Sequence, residues 1–127
     1  MRKQCHNPYM PLWEHVPDGE PHVFGDRLYV YGSHDLENGN EFCEQDYVCW
    51  SAPVTDLSDW RCDGVIYKKE QDPYNQDALP LYAPDVVKGP DGRYYLYYCI
   101  KFQDSINVAV CDTPAGEYRF YGRVHYE

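Results

Sequence analysis

The sequence predicts an all-β fold built from two tandem copies of one four-stranded antiparallel unit. Three observations carry that expectation. Runs rich in β-branched and aromatic residues recur at strand length, over 23–33, 47–51, 93–100 and 106–111, with Gly- and Pro-bearing turns between them. Two pairs of stretches match each other. Gly25-Asp26-Arg27-Leu28-Tyr29-Val30-Tyr31 answers Asp91-Gly92-Arg93-Tyr94-Tyr95-Leu96-Tyr97. Tyr47 to Pro53, followed by Trp60, answers Asn107 to Pro114, followed by Tyr118. No stretch has the periodicity of an amphipathic helix. A repeat of roughly 60 residues with four strands per unit is the spacing of β-propeller blades with long loops.

Taken in order, residues 1–17 are an extended lead-in, because Pro8, Pro11 and Pro17 forbid a helix. Residues 23–33 form a strand pair broken at Gly25-Asp26, with Leu28, Val30 and Gly32 on one face and Tyr29, Tyr31 and Ser33 on the other. Residues 36–46 are a polar, acidic loop, and 47–51 the next strand. The turn 53–60 carries Trp60 back toward the core, and 61–67 closes the unit as an edge strand. Residues 68–81 read as a polar crossing. In the second unit Pro90-Asp91-Gly92 is a hairpin turn, 93–100 and 106–111 are strands, 112–118 repeats the returning turn, and 120–126 is the last strand. The first unit covers about 16–67 and the second about 82–127, within a single partial domain, 1–127.

Composition narrows the partners. The 127 residues carry a formal net charge of −10 and no basic cluster, so a nucleic acid or an anionic membrane surface would be repelled. No apolar run reaches the roughly 18 residues of a membrane helix. Fourteen Tyr, three Trp and four Phe supply flat apolar faces with polar handles, suited to sugar rings as well as to strand packing. The six cysteines stand at 5, 43, 49, 62, 99 and 111. The start of the chain has no signal peptide, so the expectation is a cytoplasmic protein with reduced thiols, buried as small hydrophobes, Cys99 among them. No Cys-x-x-Cys pair or other local motif implies a metal or a cofactor.

The chemistry-bearing residues sit in two similar settings. Asp18, Glu20 and His22 crowd the turn Pro17-Asp18-Gly19-Glu20-Pro21 just ahead of a strand, and that strand pair ends in Ser33-His34-Asp35. Later Tyr82-Ala83-Pro84-Asp85 again leads a carboxylate out of a proline into a strand. Each unit thus presents an aspartate at the same end. Asp18 is otherwise an ordinary turn residue, and His34 and Asp35 an ordinary hydrogen-bonded pair. Trp13 either stacks on a sugar or packs within the lead-in. Lys101 and Gln103 are further groups able to reach a polar ligand, while Trp60 reads as core.

Together Asn7-Pro8, the Pro17–Pro21 turn, Tyr31-Gly32-Ser33-His34-Asp35, Tyr82-Ala83-Pro84-Asp85-Val86 and Gly89-Pro90-Asp91-Gly92-Arg93 with its following tyrosines resemble the N-terminal part of glycoside hydrolase family 43. The resemblance covers essentially the whole chain. It implies about two blades of a five-bladed propeller and an inverting glycosidase acting on arabinose- or xylose-containing polysaccharides or oligosaccharides, of arabinofuranosidase or xylosidase type. Carried over by position, Asp18 resembles the general base. Asp85 resembles the aspartate that tunes and orients the acid. Trp13, as a stacking ring, and His34 and Asp35, as partners for sugar hydroxyls, are the candidate substrate-binding residues, read from their own chemistry rather than from the resemblance. The family's general acid is a glutamate on the third blade, which maps onto no residue here, so the chain alone is expected to be a very poor catalyst. The competing expectation is a non-catalytic carbohydrate-binding or assembly module, whose open sheets pair with a complementary chain or with further copies to close a ring.

Overall fold

The computed structural model describes residues 9–124. Cys5, Asn7-Pro8 and the expected strand end at Tyr126 lie outside it. Two four-stranded antiparallel sheets follow each other in the chain. The first holds β1 (Glu20–Phe24), β2 (Arg27–Gly32), β3 (Tyr47–Pro53) and β4 (Arg61–Tyr67), ordered as in sequence. The second holds β5 (Leu81–Lys88), β6 (Tyr94–Ile100), β7 (Ile106–Cys111) and β8 (Arg119–Val124), in the same order. This is the meander of a propeller blade, made twice. Tight turns join β1 to β2 through Gly25 and β5 to β6 through Gly92, both at positive φ where a side chain would be strained.

The sheets pack face to face over aromatic side chains. Tyr29, Tyr31, Tyr47 and Tyr67 of the first sheet meet Leu81, Tyr94, Leu96, Tyr98 and Ile100 of the second. Burying so many phenols requires partners for their hydroxyls. Tyr31 donates to the Pro114 carbonyl at 2.8 Å and Tyr47 to the Tyr82 carbonyl at 2.8 Å. Tyr67 donates to the Tyr98 oxygen, whose own proton goes to the buried Asp72 carboxylate. Burial raises the pKa of Tyr31, Tyr47 and Tyr98 above the usual phenol value, so all three stay neutral donors.

The crossing from β4 to β5 is more ordered than its polar composition suggests. It contains a 3₁₀ turn, Lys69–Gln71, and buries Asp72 and Asn75. Asn75 ties the loop together, donating to the Lys69 and Leu79 carbonyls and accepting from the Leu79 amide.

Trp60 corrects the sequence reading. It is only half-buried and spends its indole N–H on the Leu57 carbonyl at 2.9 Å, with Tyr9 lying 5.3 Å from its ring. Its turn closes on itself and never carries the ring into the inter-sheet core. The thiols also divide. Cys43, Cys49 and Cys111 are buried, Cys99 is intermediate and Cys62 exposed, and all five are free.

The outer faces of the two sheets differ. Residues 9–17 lie over the far side of the first sheet. Val16 rests on Gly32, whose missing Cβ would fall 1.9 Å from the Val16 methyl, and Glu14 accepts the Trp50 indole N–H at 2.6 Å. The far side of the second sheet is instead an open groove of about 590 Å³, walled by Val87, Tyr95, Tyr97 and Tyr121.

Candidate active site

Asp18 stands at the end of the molecule where β1 begins and β2 ends. Its φ is +53°, a left-handed conformation uncommon outside glycine, and Gly19 follows directly. The turn is held from below. Gly32 admits Val16, and the amide of Asp35 bonds to the His15 carbonyl at 2.9 Å. Asp18 is therefore exposed on a pinned loop.

Asp85 reaches the same place from the second sheet. β5 pairs in register with β6 at Leu81 and Tyr82, slips, and resumes at Asp85 opposite Tyr97. The slipped residues are Ala83, at φ +43°, and Pro84, which has no N–H to pair. Two hydroxyls of the first sheet brace the backbone just before this bulge, Ser33 on the Leu81 carbonyl at 3.3 Å and Tyr47 on the Tyr82 carbonyl at 2.8 Å. The bulge turns Asp85 outward. Its Oδ1 accepts the Val86 amide at 2.8 Å and the His22 Nε2–H at 2.6 Å. His22 in turn stacks on Phe24, with ring centroids 5.7 Å apart.

Asp18, Glu20, Ala83, Pro84 and Asp85 line one cleft of about 170 Å³. The structure thus brings together the two aspartates that sequence set 67 positions apart, and adds Glu20 and His22. The ligating atoms of Glu20, His22 and Asp85 lie within 4.8 Å of one another, the one set among the described residues able to offer three ligands to a cation. Two of those atoms already share the His22–Asp85 hydrogen bond.

The remaining candidates do not line this cleft. His34 Nε2 is 3.3 Å from Glu14 Oε1, and Asp35 Oδ1 accepts the Cys43 amide at 2.6 Å, so both are engaged within the protein. Trp13 is 76% exposed beside Glu14. Lys101 pairs with Glu41, and Gln103 bridges Arg123 and the Tyr74 carbonyl. His22 is legible in the sequence only as a member of the crowded turn and Tyr47 only as a strand residue; the structure gives them their roles, His22 on Asp85 and Tyr47 on the Tyr82 carbonyl. The period-2 alternation of β1 already sets Glu20, His22 and Phe24 on one face. The link from that face to Asp85 exists only once the sheets pack.

Fold and site define a blade-built β protein with an acidic cleft at the end where the strands of both units begin. The chain belongs to glycosyl hydrolases family 43, whose model matches residues 14–127. It is 64% identical over 127 residues to a xylosidase/arabinosidase of Thermoclostridium stercorarium, covering 99% of this chain and 27% of that protein. It is 34% identical over 124 residues to xylosidase/arabinosidase 43A of Humicola insolens, covering 85% of this chain and 36% of that one. Among solved structures, the β-xylosidase RS223 superposes with a TM-score of 0.69 at 29% identity, over 86% of this chain and 36% of the other. The chain therefore spans about a quarter to a third of the relatives it matches.

Proposed function

We propose that this chain forms part of an inverting glycoside hydrolase acting on xylose- or arabinose-containing polysaccharides or their oligosaccharides, and that it supplies two of the enzyme's acids. The observation that carries the reading is the shared cleft of Asp18 and Asp85, drawn from separate sheets. Asp18 takes the proton of a water whose oxygen attacks the anomeric carbon from the face opposite the leaving group. The glycosidic C–O bond breaks, and the leaving oxygen receives a proton from a general acid. None of the chain's own residues is assigned that acid. Asp85, fixed by His22 and the Val86 amide, places negative charge beside the acid, which favours its protonated form and orients it. The names of the relatives support the choice of pentose substrate.

The experiment compares 4-nitrophenyl xyloside and arabinofuranoside turnover by the 127-residue chain with that of a protein extended downstream of Glu127. The extended protein turns over with inversion, read by NMR of the first-formed anomer, and Asp18→Asn and Asp85→Asn each abolish it. The chain alone is slower by about 10²–10⁴-fold, the usual worth of an acid–base group. An Asp18→Asn protein with full activity overturns the assignment.

The open face of the second sheet favours an accompanying reading, in which the chain assembles with a complementary chain, or with further copies, that covers Tyr95, Tyr97 and Tyr121. Light scattering of the purified chain tests it. A monodisperse monomer that binds xylan supports a lectin-like module instead.

A further inference from the structure

Two loops at the cleft end carry exposed phenylalanines. Phe42, in loop 33–46, is 76% exposed, and Phe102, in loop 101–105, is 86% exposed. Phe102 is also expensive in backbone terms. It is the third residue of a turn closed by the Gln103 amide on the Ile100 carbonyl at 3.1 Å, and its φ is +64°. Turns give that position to glycine or asparagine, because a bulky L side chain is disfavoured there. Neither burial nor turn chemistry rewards a phenylalanine at this position, and strain of this kind persists where a side chain serves another purpose.

The surroundings indicate the purpose. The Lys101 ammonium lies 4.8 Å from the centre of the Phe102 ring and pairs with the carboxylate of Glu41, the neighbour of Phe42. This ion pair ties an aromatic-bearing loop of each sheet into one rim. The rim adjoins the strand that delivers Asp85, since the Lys101 amide bonds to the Pro80 carbonyl at 3.0 Å and Ile100 pairs with Leu81. A flat apolar ring bordered by an ammonium and a carboxylate matches a sugar residue, whose C–H face stacks while its hydroxyls meet the charges.

The geometry points to Phe102, with Phe42 and the Glu41–Lys101 pair, as an aromatic platform that holds a pentose unit of a chain-like carbohydrate outside the acidic cleft. The site would favour oligosaccharides over single sugars. Only the choice of pentose rests on the glycosidase reading.

The test titrates the chain with xylohexaose, arabinohexaose and xylose, following amide NMR shifts in loops 33–46 and 101–105. Phe102→Gly suits the turn, so its unfolding midpoint stays or rises, while Phe102→Trp keeps an aromatic face. The expected result is that one of the hexaoses moves both loops and xylose does not. Phe102→Gly then weakens hexaose binding about fivefold to tenfold, and Phe102→Trp restores it. Unchanged affinity in Phe102→Gly, or no binding of either hexaose by the native chain, overturns the platform. Asp18→Asn separates the two readings. Hexaose affinity that it abolishes and Phe102→Gly leaves intact overturns the platform while the glycosidase stands. Affinity that depends on Phe102, beside turnover of the extended protein that ignores Asp18, keeps the platform and removes the glycosidase assignment.

Discussion

Tyr29 and Tyr31 of the first sheet and Tyr95 and Tyr97 of the second occupy the same positions of the repeat, yet their surroundings are opposite. The first pair is buried against the second sheet. The second pair lines the open groove, where Tyr97 is 37% exposed and the Arg93 guanidinium lies against both Tyr95 and Tyr121. One residue further on, the difference reverses. Gly32 leaves room for Val16 of the lead-in, whereas its counterpart Tyr98 fills the space toward Tyr67 and Asp72. A repeated pattern thus fixes which way a side chain points. What the side chain is worth depends on the neighbour it meets.

The largest test of this contrast truncates equivalent tyrosines. Tyr31→Ala should cost about 3–5 kcal/mol, since it empties a buried site and removes the bond to the Pro114 carbonyl. Tyr97→Ala should cost less than about 1 kcal/mol, the range of surface changes. Urea denaturation of both variants measures the gap, and equal losses would mean that the second face is covered in solution. Next, Tyr98→Phe keeps the ring but strips the buried Asp72 of a donor, for an expected loss of about 1–3 kcal/mol by the same measurement. Gly32→Ala should cost a similar or smaller amount, about 1–3 kcal/mol, by driving Val16 off the sheet. Faster proteolysis within residues 9–17 would report the displaced lead-in directly.

The smallest effect is one of pH. Bonds from Tyr95 and Arg93 hold Asp91 down to about 2, below its ordinary 3.8. A depressed carboxylate stabilises the fold above its unfolded pKa and loses that contribution as pH falls through the folded value. The melting temperature of the native chain should therefore exceed that of Asp91→Asn by a small constant margin above about pH 5. The margin should shrink as pH falls from about 4 to 2, and close below that. A gap undiminished at pH 2 would remove the carboxylate from the account.

Much of the fold was legible because strands announce themselves through alternation and turns through Gly and Pro. The duplicated Arg27–Tyr31 and Arg93–Tyr97 runs gave away the repeat, and the Pro-flanked aspartates gave away the end at which both units present acid. Three features were hidden because they arise from packing between distant segments. The crossing at 68–81 read as a polar, irregular connection, but Asp72 and Asn75 are buried, Asp72 accepting the Tyr98 hydroxyl and Asn75 bonding the loop's own backbone at Lys69 and Leu79. Trp60 looked like core because its turn recurs in the second unit with no ligand role in view, yet that turn supplies its own acceptor. His22 carried no signal of its partner, since Asp85 is 63 residues away and arrives only through a bulge.

The lead-in over the first sheet also bears on how the chain behaves at high concentration. Two faces that fit one another in chain order are, in principle, a recipe for head-to-tail growth, each molecule seating its second sheet on the first sheet of the next. Here one of those two seats is taken by the molecule's own Val16 and Glu14. An incoming copy would have to unseat them before it could bind. Nine residues of irregular chain thus stand in the way of such growth, and loosening them, the expected effect of Gly32→Ala, should make it easier.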